Sequence, residues 1–265
     1  MSKVISIASW KGGVGKTTTA VNISAYIQMQ GKKVLAVDLD PQHSLSKHFG
    51  IHPGQLKGQP TIYDALYAAI NLNDESTIKS IVQNAICHST TADVLPSTPK
   101  LSSLETLLST ATCREQLLND VLSPIKENYD FIIIDCHPGA DLLTINALTA
   151  SDSVILPVEA HILSSDGLDQ VHTMIRTVQR RLNPKLQIEG VLITKFQEST
   201  NCCRQVMELI RRNYGDQIHI YDEQIKYAIK VAEAPAFGVS IHEYAPNSPV
   251  STAYGHIASE VIDNG

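Results

Sequence analysis

Apolar residues along the chain form two alternating patterns. Short unbroken apolar runs, such as Phe131-Ile132-Ile133-Ile134, show no alternation of polar and apolar positions. Runs of this kind are typical of strands that are covered on both faces. Stretches with helical spacing separate the runs, and that order predicts an α/β fold. The sequence therefore predicts a mostly parallel twisted sheet, flanked by helices on both faces.

The predicted strands and helices have approximate bounds. Strands are predicted over residues 3–8, 33–38, near 94–95, 130–135, 153–158 and 188–194. Helices are predicted over residues 16–30, 62–70, 101–108, 112–126, 141–149, 164–182, 202–213 and 248–262. Residues 41–100 are rich in His, Pro, Ser and Thr and are expected to form loops with short helices. Because no repeat or linker divides the chain, we expect a single domain over residues 1–265.

Composition narrows the class of protein. The 265 residues are 43% hydrophobic and 18% charged, as in an ordinary soluble globular protein. The net charge of −6 excludes a molecule that is basic overall, so any contact with nucleic acid has to come from a local patch. The five cysteines are scattered without C-x-x-C spacing, which favours a reducing, cytoplasmic setting. No apolar run approaches the ~18 residues that a membrane helix needs.

A glycine-rich segment with two lysines joins the first predicted strand to the first predicted helix. Strand, loop and helix in this order form the context that a phosphate-binding loop requires, whereas a plain turn is the alternative. Glycines let the backbone wrap around phosphates at a helix N-terminus, Lys16 supplies a charge for the β- and γ-phosphates, and the Thr17 hydroxyl is a Mg²⁺ ligand. The candidate nucleotide-binding residues are Lys11, Gly12, Gly13, Val14, Gly15, Lys16, Thr17 and Thr18.

The loop differs from the common G-x-x-x-x-G-K-[ST] pattern at its start. Trp10 stands where the first glycine would be, and an extra lysine, Lys11, follows it. This segment resembles the deviant Walker A loop of the ParA/MinD group of P-loop ATPases. The resemblance implies a single-domain P-loop NTPase in which Lys11 reaches across a homodimer to the nucleotide of the other subunit, so that ATP is sandwiched between two copies.

Two carboxylate sites follow apolar strands, where ligands gather in open α/β sheets. The segment from Asp38 to Gln42 resembles the family's D-x-D-P-Q motif. The resemblance implies that Asp40 orients or activates the attacking water, and that Asp38 braces either the loop or the ligands around the metal. The alternative for both is a turn that ends the strand before Pro41. Asp135 ends a run that resembles a Walker B strand, which implies a Mg²⁺ ligand. Thr17, Asp40 and Asp135 are thus the candidate metal ligands, and Lys11, Lys16 and Asp40 the candidate catalytic residues.

Two histidines depart from the family pattern. His43 stands where relatives often have glycine, and His137 where they commonly have proline. His137 either lies near the γ-phosphate or shapes the turn, and we favour a role in the turn because a lone histidine is more often structural.

The remainder of the chain indicates which branch of the family it resembles. The segment Glu233-Ala234-Pro235, followed by Gly238, resembles the corresponding segment of ParA-type partition ATPases. MinD-like relatives bind membrane through a basic C-terminal helix, but residues 248–265 contain no Lys or Arg. We therefore expect the C-terminal helix to pack on the core, and we expect no contact with a membrane.

The resemblance to ParA-type proteins implies a function. It implies a slow, Mg²⁺-dependent ATPase that serves plasmid or chromosome segregation, binds double-stranded DNA non-specifically as an ATP dimer, and is reset by hydrolysis with a ParB-like partner. It also implies a cytoplasmic protein that associates with the nucleoid when ATP is bound. The alternatives are a MinD-like, membrane-associated ATPase for division-site positioning and an ATP-dependent metal or electron carrier.

Basic side chains in the C-terminal half are candidates for the DNA contact. Ordinary solvated positions are the alternative, because nearby acidic residues can pair with them. The candidates are Arg176, Arg180, Lys195, Arg204, Arg211, Arg212, Lys226 and Lys230.

Overall fold

The computed structural model describes residues 2–72, 74–161 and 164–264, without the side chains of 164–166 and 202. In the described residues, six strands form one parallel sheet in the order β3-β2-β4-β1-β5-β6. The strands are β1 (Lys3–Ile7), β2 (Val34–Leu39), β3 (Asp93–Leu95), β4 (Phe131–Cys136), β5 (Ser153–Glu159) and β6 (Gln187–Thr194). The prediction of a mostly parallel sheet is confirmed.

Helices cover both faces of this sheet. The α-helices are α1 (Lys16–Met29), α2 (Ser44–His48), α3 (Ile62–Asn71), α4 (Glu75–Ala85), α5 (Leu104–Thr110), α6 (Leu117–Leu122), α7 (Leu142–Ala150), α8 (Ser164–Arg181), α9 (Asn201–Tyr214), α10 (Ile229–Glu233), α11 (Ile241–Tyr244) and α12 (Pro249–Asp263). Short 3₁₀ helices span Pro99–Ser103, Ser123–Asn128 and Ala234–Phe237.

The region between residues 41 and 100 is more regular than predicted. It contains α3 and also α4, which was not predicted because its buried positions, Ile78, Val82 and Ala85, are separated by polar residues. The Asp74 side chain accepts a hydrogen bond from the Thr77 backbone amide at 3.0 Å and so caps α4. The predicted helix over 112–126 is shorter, since α6 gives way to a 3₁₀ turn that contains Pro124.

The core consists of two layers, one on each face of the sheet. Alternate residues of a strand enter different layers, so Ile132 and Ile134 pack on one face while Phe131 and Ile133 pack on the other. Helix α12 packs against α1 through its buried apolar stripe, which includes Val250, Tyr254, Ile257 and Val261. The expectation that the C-terminal helix packs on the core is therefore confirmed.

An extended segment over residues 219–227 lies along the outer edge of β6. The Val191 amide donates to the His219 carbonyl at 2.9 Å, and the Tyr221 amide donates to the Val191 carbonyl at 3.1 Å. Farther along, the Ile225 amide donates to the Ile193 carbonyl at 2.9 Å. The segment follows β6 to the carboxyl edge of the sheet.

Gly190 makes this close approach possible. A Cβ atom at residue 190 would lie 2.7 Å from a ring carbon of Tyr221, whose side chain is fully buried, and 2.9 Å from a ring carbon of His219. The two segments can therefore pack at this distance only because residue 190 has no side chain.

We expect Gly190→Ala to lower the free energy of unfolding by about 1–3 kcal/mol, because the Tyr221 ring has no room to move away. Urea denaturation measures the change. Gly54→Ala is the matched control, because the described structure has no atom within 4 Å of a Cβ at that position. An equally stable Gly190→Ala variant would contradict the packing argument.

Candidate nucleotide-binding site

Strand register brings the three sequence motifs together at the carboxyl edge of the sheet. Asp135 of β4 is level with Ile7 of β1 and with Asp38 of β2. The glycine-rich loop follows β1, and the turn that carries Asp40 follows β2. The loop, the turn and the end of β4 are therefore neighbours.

The glycine-rich loop has the backbone geometry that its glycines allow. Gly13 and Gly15 have φ values of +75° and +92°, in the left-handed region that favours glycine. The Val14 side chain is buried, and its carbonyl accepts a hydrogen bond from the Thr194 hydroxyl at 2.7 Å, which ties the loop to β6. Helix α1 begins at Lys16, so its first backbone amides lie directly after the loop.

The Lys16 ammonium is held inside the loop. It donates to the Ser9 hydroxyl at 3.2 Å and to the Lys11 carbonyl at 3.3 Å. Burial lowers the pKa of Lys16, and the nearby Asp135 carboxylate opposes that shift. Ser9 was not predicted as a site residue, because nothing in its spacing distinguishes it from other loop serines.

The Thr17 hydroxyl and the Asp135 carboxylate are in direct contact. The Thr17 hydroxyl donates to Asp135 Oδ2 at 2.7 Å, while Asp135 Oδ1 is buried and has no hydrogen-bond partner among the described residues. Burial raises the pKa of Asp135 well above its usual range, and the Asp38 carboxylate adds to that shift. A buried carboxylate with an unsatisfied oxygen, next to a hydroxyl, fits a divalent cation.

Asp38 and Asp40 have different surroundings. Asp38 is fully buried, and its Oδ2 accepts from the Ser46 amide at 2.7 Å and from the Ser46 hydroxyl at 2.6 Å. Burial raises the pKa of Asp38 to about 6. These contacts tie Asp38 to the start of α2, after β2. Asp40 Oδ1 accepts a hydrogen bond from the Gln42 amide at 2.7 Å, and Asp40 lines a large cavity.

A cavity of about 1300 Å³, including its open mouth, lies over these residues. Lys16, Thr17 and Asp40 line one side of it. The opposite side comes from the C-terminal third of the chain. The residues that line this opposite side are Thr194, Lys195, Ile225, Lys226, Tyr227, Ala228, Val231, Ala232, Pro235 and Tyr254. A space of this size is ample for a nucleotide.

This opposite wall was only partly predicted. Thr194 and Lys195, at the end of β6, line the cavity, whereas Pro246 and Asn247 line a neighbouring groove. Pro235 also lines the cavity and is part of the Glu233-Ala234-Pro235 motif, which the sequence singles out.

Lys11 lies apart from the cavity. It is exposed, and it is not among the described residues that line the nucleotide-sized space. Its side-chain stem packs beside α8, since a Cβ at Gly167 would lie 3.8 Å from Lys11 Cγ. The Lys16 side chain is thus buried inside the loop, whereas the Lys11 side chain lies at the surface beside α8.

The two unusual histidines shape turns. His137 Nδ1 lies 2.6 Å from Asp141 Oδ2, and Asp141 also caps α7 by accepting from the Thr144 amide at 2.7 Å. His43 has a φ of +47°, which is unfavourable for a residue with a side chain and explains why glycine would suit this position.

The candidate DNA-contacting residues fall into separate groups. Lys195 and Lys226 lie at the nucleotide-sized cavity and pair with Glu159 at 3.5 Å and Glu198 at 2.8 Å. Arg176 and Arg180 are exposed one turn apart on α8, and the described side chains form no ion pair with either. On α9, Arg211 lies 3.9 Å from Asp222, while Arg204 donates to Asn201. Arg212 is exposed on α9, and Lys230 lies in the neighbouring groove.

Comparison with known proteins agrees with this geometry. The family model described as "AAA domain" matches residues 2–188. The sporulation initiation inhibitor protein Soj of Bacillus subtilis is 40% identical over 265 residues, covering 100% of both chains. The chromosome partitioning protein ParA of Caulobacter vibrioides is 36% identical over 262 residues, covering 98% of this chain and 94% of its own. The chain belongs to the family of ParA-type partition ATPases.

A solved structure shares the ParA-type fold over the whole chain. The cobyrinic acid a,c-diamide synthase of Mycobacterium smegmatis, with bound ATP analogue and magnesium, aligns with a TM-score of 0.83 and 28% identity. The alignment covers 100% of this chain and 96% of the synthase. The P-loop NTPase fold predicted from the sequence is thus confirmed.

Two further observations concern the described residues. Among the described helices, none combines the length and the apolar character that crossing a bilayer requires. Nor do any three His, Cys, Asp or Glu side chains of the described residues cluster as a metal site. A sparse set such as Thr17 and Asp135 suits Mg²⁺, which keeps several waters.

We expect Asp135→Asn to stabilise the ligand-free protein by about 1–2 kcal/mol at pH 8, because the amide removes a buried charge and can still accept from Thr17. Because the folded-state pKa of Asp135 is raised, the wild-type carboxyl becomes neutral as the pH falls through that value, and the two proteins should converge. Urea denaturation at pH 8 and pH 5 measures both effects.

Asp216→Asn, at an exposed position, is the control for a lost surface charge, and it should change stability by less than about 0.5 kcal/mol. A destabilised Asp135→Asn variant at pH 8 would show that the carboxylate is fully compensated by its neighbours.

Proposed function

We propose that this protein is an ATP-driven DNA partition switch. The observation that carries the proposal is that Lys16, Thr17 and Asp40 line one cavity at the carboxyl edge of the sheet, with Asp135 hydrogen-bonded to Thr17. The full-length similarity to Soj and ParA supports a role in partition over the amidation reaction named for the Mycobacterium smegmatis synthase, to which the identity is lower.

The cavity suits Mg·ATP. The loop from Gly12 to Thr18 would cradle the phosphates with backbone amides, and Lys16 would neutralise charge on the β- and γ-oxygens. Thr17 and Asp135 would hold Mg²⁺, with Asp40 close enough to contribute through water. When bound, the metal would neutralise part of the charge on the phosphates.

Hydrolysis requires only that a water molecule be placed in line with the γ-phosphate. Asp40 is the carboxylate available for this task, because its Oδ1 is fixed by the Gln42 amide while the residue lines the cavity. Asp38 is unsuitable, because both of its oxygens serve to brace the turn. A turn held in this way keeps Asp40 in place for a slow, regulated reaction.

Lys11 would couple nucleotide state to dimerisation. Because Lys11 is exposed and lies outside the cavity of its own subunit, we place it at the nucleotide of a second copy. ATP would then join two subunits, and hydrolysis would separate them.

The ATP-joined dimer would bind double-stranded DNA non-specifically through the basic side chains of α8 and α9. Two weak patches bind more strongly when they are joined, so DNA binding would depend on ATP. A ParB-like partner bound to the DNA cargo would stimulate hydrolysis and release the dimer. The single-domain boundary of 1–265 belongs to the same proposal, as does a cytoplasmic, nucleoid-associated location.

We expect Lys11→Ala to retain ATP binding but to lose ATP-dependent dimerisation, because Lys16 remains in the cavity while the charge that reaches across is gone. Size-exclusion chromatography with light scattering, with a non-hydrolysable ATP analogue, measures this. Asp40→Ala is the matched comparator, because it keeps Lys11 and should dimerise with ATP while releasing little phosphate. A normal Lys11→Ala dimer would refute the role of Lys11.

We expect the double substitution Arg176→Glu and Arg180→Glu to weaken ATP-dependent binding to duplex DNA by about tenfold or more, because two phosphate contacts become repulsive. Binding by the wild-type protein should also fall steeply with salt. Fluorescence anisotropy with a labelled duplex, with ATP or ADP, provides the measurement.

The matched control is Lys79→Glu with Lys100→Glu, which changes the net charge equally at exposed positions away from α8. If both double variants lose the same affinity, or if ADP supports equal binding, the assignment of the α8 arginines is wrong.

A further inference from the structure

Trp10 has an unusual place for the only tryptophan of the chain. It lies at the start of the glycine-rich loop, and 37% of its surface is exposed. A large aromatic side chain contributes most when it is buried, so an exposed tryptophan at a functional loop calls for an explanation. The common form of the loop has a glycine here, so the loop itself does not require a side chain at this position.

Trp10 and Lys11 share one contact on α8. A Cβ at Gly167 would lie 3.8 Å from both Trp10 Cβ and Lys11 Cγ. The missing side chain at residue 167 therefore gives both residues room to lie side by side. A displacement of the Lys11 side chain changes the surroundings of Trp10, because the two pack on the same glycine.

A small surface cavity adjoins this contact. Its volume is about 300 Å³ with its open mouth included, and its lining is mostly apolar, including Val14, Val158 and Leu168 beside Trp10. It is separate from the larger nucleotide-sized cavity, whose described lining includes neither Trp10 nor Lys11. The exposed face of Trp10 and this hollow form an apolar patch next to Lys11.

We propose that Trp10 packs against a second copy of this chain in the nucleotide-bound dimer. The inference rests on the proposed function, in which Lys11 reaches the nucleotide of the partner. Adjacent residues lie about 3.8 Å apart along the backbone, so an interface that includes Lys11 brings the second copy against Trp10 as well. Tryptophan is the residue type most enriched among side chains that dominate interface energy.

Trp10 also reports on its own burial, because all tryptophan fluorescence comes from it. With a saturating non-hydrolysable ATP analogue and Mg²⁺, we expect its emission to shift to shorter wavelength and to become protected from acrylamide. The change should follow protein concentration with the same midpoint as dimerisation measured by light scattering. A change that is independent of protein concentration would be a direct effect of nucleotide and would overturn the proposal.

A substitution series tests the energetic contribution. Trp10→Ala should raise the dimer dissociation constant about tenfold or more, with nucleotide affinity of the monomer unchanged. Trp10→Phe should restore part of the loss, because it keeps an aromatic ring. Tyr67→Ala is the control, since Tyr67 is a similarly exposed aromatic residue on α3.

The outcomes separate this inference from the proposed function. If the wild-type protein dimerises with the analogue and Trp10→Ala dimerises equally well, Trp10 lies outside the interface and the proposed function stands. If emission changes only when DNA or another protein is added, that molecule covers Trp10 and the inference is wrong. A wild-type protein that stays monomeric with the analogue would overturn both.

Discussion

The burial of the Asp135 carboxylate at the end of β4 is the constraint on which the site depends. A charge in that position has to be compensated, and the chain places the Thr17 hydroxyl and the Lys16 ammonium next to it. Both partners belong to the first turn of α1, so compensation also fixes where the glycine-rich loop lies. One oxygen of the carboxylate remains without a described partner, which leaves the site ready for a cation at a cost in stability. Ligand binding and stability are thus coupled at a single group.

Sheet order decides which residues can take part. The two strands beside β4 are β1 and β2, so the loop and the Asp40 turn both adjoin Asp135. The far wall comes from the end of β6 and the residues that follow it. Two strands separate β6 from β4, and the Thr194 hydroxyl connects that side to the loop. Strand order therefore joins residues that are almost two hundred positions apart in the chain into one cavity.

Local sequence patterns predicted much of this fold and of the candidate site. Unbroken apolar runs located the strands, and the glycines between β1 and α1 indicated a phosphate-binding loop, in which Gly13 and Gly15 have left-handed backbone. Contacts that depend on tertiary packing were not predictable. Ser9 beside Lys16, and Tyr221 against Gly190, are ordinary residues at positions that carry no sequence signal of these contacts. Helix α4 was missed because its polar residues hide three buried positions, which only packing against the core reveals.

The two edges of the sheet are both covered. The segment over residues 219–227 pairs with β6, and at the other edge Cys87 pairs with Val94 of β3 in an antiparallel bridge. An uncovered edge strand would invite a second chain to add to the sheet, and repeated addition produces open-ended fibres. Because both edges of the sheet are covered, chains associate through loops and helix surfaces instead. Contacts on those surfaces can form a closed assembly, to which no further subunit adds. Covered edges thus favour an assembly with a defined number of subunits, which a reversible switch needs.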